Sequence, residues 1–214
     1  MTEKFADFFN PAKVDGTIHI VGCGAIGSTL AIMLARCGVT NMVLWDMDTV
    51  VPHNLANQQY MLKQVGQPKT AALKTLIHAI NPAITVIEMG KWSKDILGGY
   101  VMMAVDNIDT RKDIIMCSLG AKLIMDYRMR VADAQHYAAD PMVPNDMKKL
   151  RLSMDFTQAE ADAATPVNGC GLSESIMPTV AMIVSLGVAN FINYLNVGKL
   201  ETTIVSSPFT QIVF

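Results

Sequence analysis

Charge is scarce in this chain of 214 residues: 17 Lys+Arg and 19 Asp+Glu make up only 17% of it, against about 25% in an ordinary soluble domain. Apolar residues account for 51%. That combination excludes disorder, because a disordered chain is charge-rich and poor in apolar residues. Net charge is also nearly absent, at -2 with an isoelectric point near 6.0. Such a balance gives nucleic acid or an anionic membrane little to hold, and neither is expected as a partner. Cysteine is sparse and unpaired. Cys23, Cys37, Cys117 and Cys170 form no C-x-x-C, which excludes a zinc ribbon and a thioredoxin-type motif. Isolated cysteines, and an opening MTEKFADFFNPAKVD with no apolar leader, point to a reducing, cytoplasmic setting. There is no internal repeat and no low-complexity tract. From Ser175 to Gly198 charge is lacking altogether. A membrane span needs roughly 20 mostly apolar residues. Pro178, Thr179, Ser185, Asn190, Asn193 and Asn196 interrupt this run, so it is read as a buried helix. The low charge and this uncharged helix imply a surface covered in an oligomer, with a homodimer expected.

What is present is an alternation of short apolar runs and helical patterns. Thr17-Ile18-His19-Ile20-Val21 reads as a buried strand stopped by glycine, and Ile26 to Cys37 as a helix stopped by Gly38. Met42 to Trp45 is a second strand, and Lys69 to Ile80 a helix ended by Asn81-Pro82. Thr85 to Glu88, Tyr100 to Val105 and Leu123 to Met125 are further strands, with a helix from about Asp109 to Leu119. This order predicts an α/β fold, a doubly wound and mostly parallel sheet covered on both faces. The polar stretch 131–165 is read as an insert over the sheet with room for short elements, Gln135 to Ala138 as a strand and Asn145 to Leu150 as a turn of helix, within a single domain spanning 1–214. A long helix, Ser173 to Tyr194, follows. The chain then closes with β-rich pieces at Thr202-Val205 and Gln211-Phe214.

The chemistry starts at Gly22-Cys23-Gly24-Ala25-Ile26-Gly27, a G-x-G-x-x-G between a strand and a helix. The first glycine permits a tight turn, the second lets backbone approach a phosphate, and the third lets helix pack on strand. The helix N-terminus then offers its amides to an anion. Asp46 stands 19 residues after Gly27, at the end of the next strand, where a carboxylate can hold a ribose hydroxyl.

Further along come Asp46-Met47-Asp48-Thr49-Val50, Asn54-Leu55-Ala56-Asn57-Gln58, Gly66-Gln67-Pro68-Lys69, Asn81-Pro82 and Asp106-Asn107-Ile108-Asp109-Thr110-Arg111. In order and spacing, this series resembles the ThiF/MoeB family of adenylating enzymes, relatives of the ubiquitin-activating enzymes. The similarity runs from about residue 16 to 112, and resumes at Cys170 and along Pro178 to Leu186. It implies a ThiF/MoeB Rossmann-like fold. It also implies a reaction: ATP activates a carboxylate, usually the C-terminus of a ubiquitin-like or sulfur-carrier protein, as an acyl-adenylate with release of pyrophosphate. By that resemblance Asp46 binds ribose, with Asp48 beside it. Asn54 and Gln58 face the nucleotide, and Lys69 meets the triphosphate. Asp106 holds Mg²⁺, with Asn107 and Arg111 nearby. A hard oxygen ligand suits Mg²⁺. Asp106 also stands where a helix cap is common, and Arg111 fits an internal ion pair equally well.

Two departures bear on activity. The family's N-L-x-R-Q arginine is Asn57 here, and no arginine precedes Arg36. Only Lys4 and Lys13 could replace an N-terminal arginine, and lysine lacks the planar bidentate fork. Arg128 and Arg130 are other candidates for the missing charge. Cys170 stands just ahead of the long helix, where some family members form a thioester, and a helix N-terminus favours thiolate. A small buried hydrophobe is the other reading of that residue. Cys23, Cys37 and Cys117 are read as packing residues, His19 as core and His53 as an exposed loop residue. The family's structural zinc site uses paired cysteines, so no zinc is expected. Besides the adenylyltransferase, three readings stay open. One is a relative acting on a small-molecule or tRNA-linked carboxylate. Another is a nucleotide-binding or dimerisation module that has lost catalysis. The last is a nicotinamide-dependent dehydrogenase, which explains Gly22 to Asp46 but leaves Asn54, Lys69 and Asp106 unused.

Overall fold

Seven strands form one sheet in the computed structural model, which describes residues 2–165, 167, 169 and 174–210. In chain order the elements are β1 (Ile18–Val21), α1 (Ala25–Arg36), β2 (Asn41–Trp45), α2 (Lys69–Ile80), β3 (Thr85–Met89), β4 (Tyr100–Met103) and α3 (Ile108–Cys117). They continue with β5 (Leu123–Met129), β6 (Ala134–Ala139), α4 (Pro144–Leu152), α5 (Gln158–Ala163), α6 (Met177–Val197) and β7 (Thr203–Ser206). The spatial order is β3-β2-β1-β4-β5-β6-β7. The first five are parallel, β6 is antiparallel to β5, and β7 is antiparallel to β6.

Each helix covers the face its apolar stripe demands. Leu30 and Leu34 of α1, Leu73 and Ile77 of α2, and Val180, Ile183 and Phe191 of α6 join Ile18, Ile20 and Met102 in one core. On the other face Ile114 and Ile115 of α3 and Met147 and Leu150 of α4 meet Val101, Met103 and Ile124. Central strands buried on both faces read as continuous apolar runs. That is why β1, β2 and β4 were legible from sequence.

Three elements differ from the sequence reading. β5 continues past Met125 to Met129 because Asp126 and Arg128, which break the apolar run, are paired with each other inside the protein. The stretch 131–165 is not wholly over the sheet: Ala134–Ala139 is a strand within it, between β5 and β7. The strand expected over Gln135 to Ala138 is longer by one residue at each end and belongs to the sheet itself, with His136 at a core position with no exposure. The long helix has Pro178 in its first turn and ends at Gly198, whose φ of 71° closes it in the left-handed region. Ser173 and Gln211-Phe214 lie outside the described residues. By length and composition α6 could cross a membrane, but here it lies against α1, β5 and β6 with eight residues buried.

One buried polar cluster ties α6 to the sheet. Asn190 grips the Glu201 backbone twice, accepting from its N–H at 2.9 Å and donating to its carbonyl at 2.8 Å. The same amide nitrogen donates to His136 Nε2 at 3.3 Å. The His136 Nδ1–H can then only donate, to the Asp126 carbonyl at 3.2 Å. The bond from Asn190 to Nε2 requires a neutral ring, and burial pulls the His136 pKa down to about 3. In the unfolded chain a histidine takes its proton near pH 6.5. The folding stability is therefore full above that pH and falls as pH drops toward 3. We expect urea melts to lose about 2 kcal/mol between pH 7.5 and pH 5 from this residue. A His136→Asn variant should be weaker at pH 7.5, with that dependence flattened; an unchanged slope would contradict the assignment.

Candidate active site

The strand order reverses between β1 and β4, and a doubly wound sheet opens its crevice at that point, beyond the carboxyl ends of the strands. Gly22 follows β1, Asp46 follows β2, and Asp106 lies three residues past β4. The three loops therefore share one edge.

The three glycines do different physical work. Gly22 has φ +93°, and a Cβ there would lie 2.7 Å from the Ala104 carbonyl oxygen. A Cβ on Gly27 would lie 1.8 Å from the Gly22 carbonyl oxygen, so only glycine lets α1 seat on its strand. A Cβ on Gly24 would meet nothing within 4 Å. Its face is open, at the first residue ahead of α1, where the amides of the first turn are left unbonded by the helix.

Asp46 fixes the loop. Its Oδ2 accepts the Cys23 N–H at 2.7 Å and its Oδ1 the Asp48 N–H at 2.8 Å. The Tyr60 hydroxyl donates to the Cys23 carbonyl at 2.7 Å. Cys23 itself is fully buried, and burial, with Asp46 adding to it, holds its thiol well above the usual range. It is a packing residue and no nucleophile. Lys69 opens α2 and is almost wholly buried. Its Nζ donates to Asp48 at 2.8 Å, while its backbone N–H bonds the Asp48 carbonyl at 2.9 Å. Backbone bonds between Val50 and Gln67 and between Gly66 and Val50 zip these two segments together. Asn54 is buried in the short turn Pro52–Ala56 and takes the Val51 N–H on Oδ1 at 3.1 Å. Gln58 has a buried Oε1 with no partner among the described residues.

At β4 the cap of α3 is Asn107, not Asp106: Asn107 Oδ1 accepts from the Thr110 N–H at 2.8 Å. Asp106 is exposed and makes no hydrogen bond among the described residues, so its carboxylate is left for other work. Arg111 is turned inward, donating to the Asp126 carboxylate and to the Val105 carbonyl. Burial pulls its guanidinium down to about 9, Arg128 acts the same way, and Asp106 opposes them. Arg128 donates to Asp126 at 2.6 Å and to Ser153, so it is engaged internally as well. Sequence reasoning missed Asp126 and Ser153. A carboxylate inside a strand was the one available signal. Asn57, at the family's arginine position, donates to Ser175 just ahead of α6. Arg130 and Lys4 are exposed, and Lys13 bonds Asn196 at the end of α6. His53 is exposed, while His19 accepts from Trp45 Nε1 at 3.3 Å. Cys37 and Cys117 are half-buried free thiols. Cys170 lies outside the described residues.

The glycine loop, the Asp46 carboxylate and the exposed Asp106 thus share the sheet edge at the switch point. Residues 14–211 match the sequence profile of the ThiF family. The chain is a ThiF-family protein. Its relatives include ubiquitin-like modifier-activating enzyme 5 of Oryza sativa subsp. japonica, 34% identical over 48% of this chain and 26% of the relative. They also include tRNA threonylcarbamoyladenosine dehydratase of Bacillus subtilis (strain 168), 32% identical over 64% of this chain and 62% of the relative. Among solved structures the ThiF protein resembles E. coli MccB with ATP, at a TM-score of 0.69 and 17% identity over 89% of this chain and 59% of MccB. It also resembles PaaA, at 0.70 and 16% over 93% and 63%. The chain thus spans between about a quarter and three-fifths of these proteins. At those identities the two structures speak to the fold alone. ATP-dependent adenylation of carboxylates is the reaction of the ThiF family.

The glycine geometry separates folding from binding in this ThiF protein. Gly27→Ala should lose about 1–3 kcal/mol in a denaturant melt, because backbone must shift to admit the methyl. Gly24→Ala should fold within about 1 kcal/mol of wild type yet weaken ATP binding, since its methyl would occupy the open face. Equal effects of the two substitutions on stability would contradict this division.

Proposed function

We propose that the chain is an ATP-dependent adenylyltransferase that activates the C-terminal carboxylate of a ubiquitin-like or sulfur-carrier protein. The observation that carries this reading is the open Gly24 face set beside the uncapped carboxylate of Asp106 at one sheet edge. In this reading a carboxylate oxygen of the partner attacks the α-phosphorus of ATP. The bond to the leaving pyrophosphate breaks, and an acyl-adenylate forms. First-turn amides of α1 and the Lys69 ammonium lie along the phosphates and offset charge developing on the leaving group. Asp46 and Gln58 address the ribose side, where the lone buried Oε1 of Gln58 would accept a hydroxyl or amino hydrogen. Asn54 shapes the turn beneath the phosphates.

The residues fit Mg²⁺. That ion keeps several waters and binds through one or two carboxylates plus substrate phosphates, and Asp106 is one such carboxylate. Among the described residues no group of three or more His, Cys, Asp or Glu is gathered, which suits a substrate-borne Mg²⁺ better than a resident ion. When bound, it would neutralise phosphate charge near the attacked phosphorus. The homologue named as a ubiquitin-like modifier-activating enzyme and the MccB structure with AMPCPP and MccA support a protein or peptide carboxylate. A homodimer in a reducing cytoplasm is part of the same reading, the dimer supported by the uncharged α6.

A second reading is a module of the same fold with lost or altered catalysis. Asn57 favours it, because its amide is spent on Ser175 and cannot deliver an arginine's charge to a phosphate. The two readings part on one assay. With ATP, Mg²⁺ and a ubiquitin-like protein ending in Gly-Gly, wild type should release pyrophosphate, and Asp106→Ala should release at least about a hundredfold less while folding normally. Equal release by both proteins would remove Asp106 from the mechanism, and none from wild type would favour the module. We further propose that the Cys170 thiolate attacks the acyl carbon of the adenylate, displacing AMP, and carries the acyl group as a thioester. A Cys170→Ala protein should form adenylate normally but no thioester, and one that completes the whole reaction would reject that role.

A further inference from the structure

Among the described residues no side chain or backbone group bonds the Asp106 carboxylate, and its backbone is clamped from two sides. On one side the turn 104–106 lies against Gly22, where a Cβ would come within 2.7 Å of the Ala104 carbonyl oxygen and 3.0 Å of the Val105 nitrogen. On the other side Arg111 donates one Nη to the Val105 carbonyl, the group directly ahead of Asp106. The second Nη of Arg111 bonds Asp126, whose side chain has no exposure. The other oxygen of Asp126 takes Arg128 Nε at 2.6 Å. Arg128 then reaches the Ser153 carbonyl at 2.6 Å and the Ser153 hydroxyl at 2.9 Å, at the C-terminus of α4. Its guanidinium is stacked 4.7 Å from the centre of the Tyr137 ring. The same region braces α3 again through Gln158 of α5, which accepts the otherwise unbonded Ile108 N–H at 2.7 Å.

We infer that Arg128, acting through Asp126 and Arg111, is a positioning residue for Asp106, and that the 131–165 stretch braces the metal-binding carboxylate of the nucleotide site. Two guanidiniums sharing one buried carboxylate leave a charge surplus that the Asp106 carboxylate completes. The carboxylate needs its geometry set, because groups behind a metal ligand commonly govern metal affinity by about 10–100-fold. This inference rests on the adenylyltransferase reading, in which Asp106 faces the Mg²⁺ of ATP.

The test titrates ATP into the full chain by calorimetry, once with excess Mn²⁺ and once in EDTA, and follows bound Mn²⁺ by electron paramagnetic resonance. Wild type should bind ATP in both, and more tightly with Mn²⁺. Arg128→Lys keeps the charge and loses the fork. It should lose about tenfold of the metal-dependent gain, with an altered Mn²⁺ signal, while its affinity in EDTA stays within about twofold. Ser153→Ala removes only the far hydroxyl and should move the same way by about threefold, which keeps the test alive if Arg128→Lys folds poorly. An unchanged metal-dependent gain, or a parallel loss with and without metal, overturns the inference and leaves the adenylyltransferase reading standing. A wild type that binds ATP under neither condition overturns that reading and the inference with it.

Discussion

Everything at the active edge depends on how closely α1 can approach the turn after β1. That distance is set by the missing side chain of Gly27, whose place is taken by the Gly22 carbonyl. Once the helix is seated there, Gly24 faces open space and the Cys23 N–H meets Asp46. Gly22 can then bear on the turn that leads to Asp106. Parallel pairing brings the ends of β1, β2 and β4 to one edge where the sheet reverses its winding, and this steric allowance seats α1 beside them.

The second organising feature is electrostatic and lies under the first. Asp126 is a carboxylate without solvent, tolerable only because Arg111 and Arg128 both bond to it. Such a cluster adds little net stability over an apolar replacement, since removing three charged groups from water offsets most of their attraction. What it does add is direction. It joins the turn before Asp106 to the end of α4, and so connects the least strand-like part of the sequence to the nucleotide edge.

The sheet and its helices were legible because buried parallel strands and amphipathic helices write themselves into apolar periodicity, and α2 was bounded by its own Asn81-Pro82 stop. The turn at Gly22 and the close helix packing at Gly27 were legible because each of these glycines answers a different steric demand. What escaped was carried by polar residues in apolar places. The place of β6 within the sheet was hidden by His136 in a core position, and the second half of β5 by Asp126 and Arg128. Long-range partners escaped for a related reason. Asn57 with Ser175 and Arg128 with Ser153 join residues far apart in the chain, and no local pattern marks such pairs. The choice of Asn107 over Asp106 as the cap of α3 also needed geometry, because both residue types cap helices well.

The central claim is that this crevice binds ATP and not a nicotinamide dinucleotide, which the glycine loop and Asp46 alone would also accommodate. Calorimetric titration of the purified chain with ATP plus Mg²⁺, and separately with NAD, tests it most directly. The account predicts saturable binding of ATP and none of NAD. Binding of NAD without ATP would contradict it, because Lys69, Asn54 and Asp106 would then have no phosphate or metal to serve.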